Sequence, residues 1–244
     1  EHTAMTTTSF NQPQLIITPS GDRSVTVYLG QSIDPQTNKR VSSLVQYLDD
    51  QNIESILDIV PAYASILILY DPLEISMADL SKQIYEADSH QNMLKEPSNK
   101  IVEIPVLYGG EYGPDLSFVA DCAKLSENEI ISIHSETLYR VYMIGFTPGF
   151  PYLGSLDSKL HISRRETPRS SIPAGSVAIA EGQTGIYPAE SPGGWHIIGK
   201  TPVTLFDSNL NPPTLVSIGD SVKFVPIDNE SDFAKLEKDI KNHG

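Results

Sequence analysis

The chain has 244 residues and a formal net charge of −14 at pH 7, and 39% of its residues are hydrophobic. These values predict one large or two modest globular domains with an ordinary apolar core. The acidity disfavours nucleic acid and anionic lipid as partners, and no apolar run approaches the roughly 18 residues of a membrane span. The one cysteine, Cys122, excludes an internal disulfide, and the N-terminus lacks a secretory pattern, so we expect a cytoplasmic protein.

Residues 12–95 are predicted to form a first, α+β domain. Alternating, β-branched segments at 24–30, 55–60 and 65–70 are typical of strands. Asp34 followed by Pro35 predicts the start of a helix, whose apolar residues recur at helical spacing from residue 41 to 48. Ser76 is placed to begin a second helix. Two helices against a small antiparallel sheet form a compact α+β sandwich.

The polar segment 90–100 is predicted to be a linker, and residues 101–230 a second domain. The strand expected at 101–107 contains Pro105, which favours an edge position. Ser126 and Glu129 form the pattern of a capping box ahead of a helix. From 145 to 202, 16 of 58 residues are Gly or Pro, which is typical of turn-rich β structure. Residues 231–244 are predicted to be a terminal helix and tail.

The segment 145–202 also differs from the rest of the chain in charge. It contains five Lys or Arg and four Asp or Glu, which leaves it at +1 and the remainder at −15. A cationic island on an acidic protein suits a small anionic ligand or an acidic partner. A loop region of mixed charge, with no ligand, explains the same composition. Rigid turns interleaved with aromatic and polar side chains favour a preformed pocket.

Three motif-based hypotheses are rejected. Residues 194–201 satisfy the pattern of a phosphate-binding P-loop, but their interior is bulky and strand-like, and Pro202 disfavours a helix there. No metal site is expected, because the histidines at 134, 161 and 196 lack partners at ligand spacing. A serine-hydrolase elbow is also absent from the sequence.

Several long motifs occur together in one order along nearly the whole chain. They are Val60–Tyr63 (VPAY), Tyr108–Leu116 (YGGEYGPDL), Gly145–Leu153 (GFTPGFPYL), Ile172–Ile179 (IPAGSVAI), Gln183–Pro188 (QTGIYP), Ser191–Trp195 (SPGGW) and Ile198–Pro202 (IGKTP). In these the chain resembles the B subunit of bacterial ATP-dependent 5-oxoprolinases. That family also includes the Kip inhibitor of a sporulation histidine kinase and was formerly labelled allophanate hydrolase subunit 1.

The resemblance implies a ferredoxin-like N-terminal domain followed by a cyclophilin-like β-barrel. It implies a cytoplasmic complex with the A and C subunits of the enzyme, of which the C subunit is a carboxyltransferase-related chain. That complex opens 5-oxoproline to L-glutamate with ATP. The resemblance does not imply that this chain itself binds ATP. Three positions depart from the family pattern, namely Ser163, Glu181 and Lys200, the last standing where arginine is commoner.

Under this enzyme hypothesis, opening a lactam requires donors for developing negative charge and a base for water. We expect Arg165 and Arg169 to bind anionic groups and Glu190 or His196 to transfer protons. Substrate orientation is assigned to three further residues, Gln183, Thr184 and Tyr187. Each of these side chains also has an ordinary structural explanation, such as a surface ion pair, a turn cap or a residue of the barrel interior.

The alternative hypothesis is a binding protein that inhibits a sensor histidine kinase. Four aromatic residues, Phe146, Phe150, Tyr152 and Trp195, would then form an exposed apolar groove that grips a helix of the kinase. A free-standing prolyl isomerase is a third possibility that rests on fold analogy alone.

Overall fold

The computed structural model describes residues 14–89 and 100–243. The chain divides into two compact units, Glu1–Lys95 and Glu96–Gly244. Nearly all of the predicted linker, residues 90–99, lies outside the described residues, as does the N-terminal segment before residue 14.

The first unit is a four-stranded antiparallel sheet with two helices. Its elements are β1 (Ile16–Pro19), β2 (Ser24–Tyr28), α1 (Pro35–Gln51), β3 (Ile56–Pro61), β4 (Ser65–Tyr70) and α2 (Met77–Ser89). The strand order is β1-β2-β4-β3. Strands β2, β3 and β4 with helices α1 and α2 follow the ferredoxin-like order, and the fourth strand is β1, which reaches the sheet edge through a hairpin with β2.

Local sequence signals position these helices. The Asp34 carboxylate accepts a hydrogen bond from the Thr37 backbone N–H at 2.7 Å, which caps α1. The predicted stripe of α1 is buried, with Val41 and Leu44 fully covered. Ser76 caps α2 by accepting a hydrogen bond from the backbone N–H of Asp79. The predicted helices are therefore confirmed, and their apolar faces form the core of the first unit with one face of the sheet.

The second unit is a seven-stranded closed barrel with attached helices. Its elements are β5 (Ile101–Tyr108), α3 (Leu116–Ala123), α4 (Glu127–Glu136), β6 (Leu138–Ile144), β7 (Pro151–Gly154), β8 (Arg169–Ile172), β9 (Ser176–Ala180), β10 (Gln183–Ile186), β11 (Ser191–Gly193), β12 (His196–Lys200), β13 (Ser221–Pro226) and α5 (Glu230–His243). The barrel order is β10-β7-β6-β13-β5-β12-β9, and the pairing of β9 with β10 closes it. Strands β8 and β11 form a separate two-stranded sheet. The α+β class with a C-terminal barrel is confirmed.

Pro105 is not on an edge strand, contrary to the sequence prediction. Strand β5 pairs with β13 on one side and with β12 on the other. Proline is tolerated because β12 pairs with β5 only at Leu107 and Tyr108, so the missing N–H of Pro105 lies ahead of that pairing. The ladder with β13 is parallel and includes Pro105 opposite Val225.

Helix α4 begins at the predicted capping box and packs against the barrel. The Ser126 hydroxyl accepts from the Glu129 backbone N–H, and the Glu129 carboxylate accepts from the Ser126 backbone N–H. Ile130 of α4 is fully buried with Val222 and Phe224 of β13 in the core of the second unit. Within the described residues, no helix has the length and apolarity that crossing a bilayer requires.

The turn between β9 and β10 shows why glycine is usual at the position of Glu181, one of the three departures from the family pattern. Glu181 has a φ of 52° and Gly182 a φ of 85°, and Ala180 pairs with Gln183 across them. Two left-handed residues between paired strands form a tight hairpin that favours glycine. Glu181 therefore occupies a conformation that most side chains avoid.

Candidate functional site

Arg165 and Arg169, both predicted to bind anions, converge on one carboxylate. Arg169 donates two hydrogen bonds to Asp115, from Nη1 to Oδ2 at 2.7 Å and from Nη2 to Oδ1 at 2.8 Å. Arg165 Nη1 donates to Asp115 Oδ1 at 3.0 Å. The backbone N–H of Ile197 donates to Asp115 Oδ2 at 2.7 Å. We call these three charged side chains the Asp115 cluster; it joins three segments of the second unit.

Two backbone features bring Asp115 to this position. It is the N-cap residue of α3, yet its carboxylate makes no cap hydrogen bond and turns to the arginines instead. Its backbone N–H donates to the carbonyl of Ile197 on β12 at 2.9 Å. Gly113 permits this approach, because a Cβ there would lie 2.1 Å from the Ile198 carbonyl oxygen.

The charges of the cluster are mutually stabilised but only partly shielded. Burial by itself raises the pKa of Asp115, but the hydrogen bonds from Arg169 and Ile197 and the two positive charges outweigh it, so this pKa lies below its ordinary value. Side-chain exposure is 6% for Asp115, 31% for Arg165 and 25% for Arg169. The carboxylate is therefore ionised, and the two guanidinium groups keep one face toward solvent.

The cluster lies between two clefts. The first, the Arg169 cleft, has a volume of about 400 Å³ and is lined by Arg169, Lys200, Ser171, Ser176, Ile197, Glu111, Tyr112, Pro114 and Pro173. The second, the His196 cleft, has about 650 Å³ and is lined by His196, Arg165, Arg164, Ser163, Phe118, Cys122, Ile162, Glu166 and Thr167. The two predicted arginines therefore serve different clefts on either side of one carboxylate.

His196 is held in one tautomer. Its Nε2 lies 3.0 Å from the Ser163 carbonyl oxygen, which only accepts hydrogen bonds, so Nε2 carries the proton. Nδ1 is then an acceptor, and it is buried without a hydrogen-bond partner in the described structure. Phe118 stacks on the imidazole at a centroid distance of 5.2 Å. Burial lowers the pKa of His196 below its ordinary value despite the bond to Ser163, so the ring is neutral near pH 7.

Glu190, the other predicted proton carrier, lies elsewhere. Its side chain is exposed and accepts a hydrogen bond from the Ser171 hydroxyl at 2.8 Å, which links the neighbouring strands β8 and β11. Glu190 is not among the residues that line the two clefts, whereas Ser171 is. The structure thus separates Glu190 from His196.

The four predicted aromatic residues come together, but as a packed cluster. Phe150 lies at its centre, with ring centroids 5.7 Å from Phe146, 4.8 Å from Tyr152, 5.1 Å from Tyr187 and 5.7 Å from Trp195. Phe150 and Trp195 are only 2% and 5% exposed, while Phe146 is 61% exposed. The expected exposed groove is therefore wrong for Phe150 and Trp195, because their rings fill the apolar space around β7, β9 and β12.

The three residues predicted to orient substrate lie away from both clefts. Gln183 and Thr184 belong to β10, and Tyr187 follows that strand within the aromatic cluster. Thr184 is fully buried and Tyr187 is 2% exposed. None of the three lines either cleft in the described structure. Their assignment stays a prediction, and burial of the last two weighs against it.

Thr184 instead belongs to a buried chain of hydrogen bonds in the barrel core. Its hydroxyl donates to the Ala178 carbonyl at 3.0 Å and accepts from Nε2 of His134 at 2.9 Å. Nδ1 of His134 then accepts from the Tyr108 hydroxyl at 2.8 Å. Burial lowers the pKa of His134 to about 3, so the ring is neutral. We call this Tyr108–His134–Thr184 series the His134 chain.

Sequence reasoning missed the residue at the centre of the site. In the sequence analysis Asp115 occurs only within the motif Tyr108–Leu116, and Phe118 is not singled out. One available signal was the charge pattern: arginines that converge on a pocket require a counter-ion, and Asp115 ends the Gly-Pro-Asp turn of a long motif. Among residues 14–89 and 100–243, no three His, Cys, Asp or Glu side chains gather as a candidate metal site.

The comparisons with known proteins agree with this architecture. Residues 15–216 match the carboxyltransferase domain family, subdomains C and D. The barrel and its attached elements therefore define a protein of the carboxyltransferase-domain class. The 5-oxoprolinase B subunit of Bacillus subtilis is 42% identical over 227 residues, which cover 87% of this chain and 92% of that protein. The chain belongs to the family of 5-oxoprolinase B subunits.

Two solved structures carry a similar fold inside longer chains. The protein TTHA0988 matches with a TM-score of 0.75 and 36% identity over 85% of this chain. This chain spans 40% of the length of that protein. The urea amidolyase of K. lactis matches with a TM-score of 0.77 at 22% identity, which shows the fold alone, and the match covers 96% of this chain and 16% of that enzyme.

Proposed function

We propose that this chain is the B subunit of a cytoplasmic, ATP-dependent 5-oxoprolinase that opens 5-oxoproline to L-glutamate. The observation that carries the proposal is the 42% identity with a 5-oxoprolinase B subunit over 92% of that protein's length. Identity maintained over a whole polypeptide favours the same place in the same assembly. The kinase-inhibitor alternative has less support, because only Phe146 of its four predicted aromatic anchors is strongly exposed.

We infer that the chain works with partner chains, the A and C subunits of the enzyme. In TTHA0988 and in the K. lactis urea amidolyase, the region like this chain makes up 40% and 16% of one longer polypeptide. A domain of this type thus occurs beside further domains on the same chain. Separate chains that assemble would restore the same neighbourhood.

ATP use is assigned to the assembly rather than to this chain. The P-loop pattern at residues 194–201 lies mostly in strand β12, where Ile197 and Ile198 are buried. A phosphate-cradling loop needs exposed backbone N–H groups ahead of a helix, and a strand does not supply them. The residues of this pattern therefore do not fit a nucleotide, and no step in this chain is routed through ATP.

His196 is the better supported of the two predicted proton carriers. Attack of water on a lactam carbonyl requires a base that is neutral and unprotonated on the acting atom. Nε2–H of His196 is fixed on the Ser163 carbonyl, which leaves the lone pair of Nδ1 without a partner, and burial keeps the ring neutral. Nδ1 is covered in this structure, so the proposed role requires that substrate or a partner chain displaces the side chains that cover it. Arg165 lines the same cleft and would stabilise the negative charge that develops on the carbonyl oxygen.

The test is reconstitution of the complex from this chain with the A and C subunits. We expect glutamate to form from 5-oxoproline only when ATP is present. In that complex His196→Gln should lower kcat by about 100-fold or more, while Glu190→Gln should retain nearly full activity. The matched control is His161→Gln, because His161 also places Nε2 on a backbone carbonyl, that of Leu156 at 3.0 Å, but lines neither cleft.

Two results would count against the proposal at different levels. A complete complex that releases no glutamate with ATP overturns the function. Full activity of His196→Gln in a complex that does turn over removes His196 from the chemistry and leaves the function intact.

A further inference from the structure

The Arg169 cleft contains a cation that forms no salt bridge among the described residues. Lys200, at the end of β12, lines the cleft and forms no salt bridge within the part of the chain that the structure describes. Its side chain is only half-exposed. An ammonium group that is partly withdrawn from water and has no partner gains from a bound anion.

Lys200 is also delivered to the cleft by rigid structure. Its backbone pairs with Leu107 of β5 and with Ser176 of β9. Its stem packs on the turn before β9, where a Cβ on Gly175 would lie 3.5 Å from Cγ of Lys200. Residues held on strands present their charges with little ordering cost when a ligand binds.

The charges around the cleft leave one positive charge in excess. Among the residues that line the cleft, Arg169 and Lys200 are positively charged and Glu111 is negatively charged. The excess stands on a chain whose net charge is −14. A single excess charge matches a monoanion, whereas Glu111 at the same cleft disfavours a dianion such as phosphate.

We propose that the Arg169 cleft binds a small carboxylate, with Lys200 as its principal cation. The volume of about 400 Å³ suits a small molecule. Arg169 lines the same cleft with its guanidinium fixed on Asp115, and Ser176 adds a hydroxyl group to the lining, whereas the Ser171 hydroxyl donates to Glu190. This inference rests on the proposed function in one respect: there, the Arg169 cleft holds the carboxylate of 5-oxoproline before the reaction in the His196 cleft, or that of glutamate after it, because one small ring does not span both clefts.

The experiment measures binding to the full chain alone, without ATP or partner chains. Isothermal titration with acetate, 5-oxoproline, L-glutamate and inorganic phosphate compares the anions directly. We expect the carboxylates to bind, 5-oxoproline or glutamate more tightly than acetate, and phosphate more weakly than either. Lys200→Ala should weaken carboxylate binding by about 10-fold or more, and Lys200→Arg should restore it to within about 3-fold.

Lys159→Ala is the matched control, because Lys159 is an exposed cation of the same unit that does not line the cleft. It should bind carboxylates as the wild type does. Circular dichroism of each variant verifies folding. The proposal is overturned if no carboxylate binds the wild-type chain at about 10 mM, if phosphate binds more tightly than the carboxylates, or if a folded Lys200→Ala variant binds them unchanged.

This outcome is separable from the proposed function. If carboxylate binding depends on Lys200 but the reconstituted complex releases no glutamate, the carboxylate site is supported and the 5-oxoprolinase function is refuted. If the complex is active but the chain alone binds no carboxylate, the function is supported and the carboxylate site is refuted.

Discussion

Two polar networks in the second unit differ in charge and in exposure. The Asp115 cluster contains three charged groups, and its arginines are about a quarter to a third exposed. The His134 chain contains only neutral groups, and its histidine and threonine are fully covered. In both networks nearly every polar side-chain atom has a hydrogen-bond partner. Of the two, it is the Asp115 cluster that borders the Arg169 and His196 clefts.

The difference indicates where this fold can place charged groups that contact a ligand. Charges withdrawn fully from water cost several kcal/mol each unless they are paired, so a cluster with one more cation than anion must remain near the surface. A neutral chain has no such requirement and can fill a barrel interior. We therefore place the proposed ligand binding at the Asp115 cluster and its clefts, and we expect the His134 chain to contribute stability.

The largest effect is expected on breaking the charged network. Asp115→Asn preserves shape but leaves two arginines without their counter-ion, so the free energy of unfolding should fall by about 2–3 kcal/mol, toward the low end for buried pairs because the arginines are partly exposed. Urea denaturation measures it. Asp121→Asn, on the exposed face of the same helix, should change stability by less than about 0.5 kcal/mol. A loss below about 1 kcal/mol for Asp115→Asn would mean that the cluster is not a stabilising network.

An intermediate effect is expected from protons on the neutral network. His134 has a folded pKa of about 3, against about 6.5 when unfolded. Between these two values the unfolded chain binds a proton at His134 that the folded chain does not bind. The free energy of unfolding therefore declines as pH falls below 6.5 toward 3. Between pH 7 and 5.5 this histidine should cost about 1.3 kcal/mol.

The measurement is denaturation of the wild type and of His134→Gln at both pH values. The variant should lose this part of the pH dependence, whereas His161→Gln should retain it. His196, whose pKa is also lowered, adds to the dependence in all three proteins, so the difference isolates His134. An unchanged pH dependence in His134→Gln would contradict the assignment.

The smallest effect is expected from the outermost link of the neutral chain. Tyr108→Phe removes the hydroxyl that donates to Nδ1 of His134 and leaves one buried acceptor unsatisfied, which should cost about 1 kcal/mol. Thermal and urea unfolding measure it, with Tyr85→Phe on an exposed position of α2 as the control. A variant as stable as the wild type would show that Nδ1 needs no donor.

Much of the fold follows from local signals. The cap at Asp34, the capping box at Ser126 and the alternation at β2 and β4 lie where the sequence predicts them. Pro105 shows the limit of such reasoning. A proline in the sequence indicates that one backbone N–H is missing, but it does not indicate whether a neighbouring strand lies where that N–H would have donated. Closure of the barrel joins β9 to β10 and leaves β5 between two partners.

The candidate site was predicted in composition but not in arrangement. The sequence indicates a segment rich in arginine, glycine and aromatic residues, and the structure distributes it over an ion-pair cluster, two clefts and a packed aromatic cluster. Burial explains the differences: Phe150 packs in a buried apolar cluster and Thr184 lies in the barrel core, whereas Glu190 is exposed.

The sequence by itself determined helices α1, α2 and α4, strands such as β2 and β4, the order of the two folds and, through its motifs, the family. These depend on contacts between near neighbours along the chain or on residue identity alone. Only the tertiary structure decided that Asp115 meets Arg165 and Arg169, fifty or more residues away, and that Lys200 forms no salt bridge within residues 14–89 and 100–243. Such pairings depend on how strands close around a core, which local sequence does not specify.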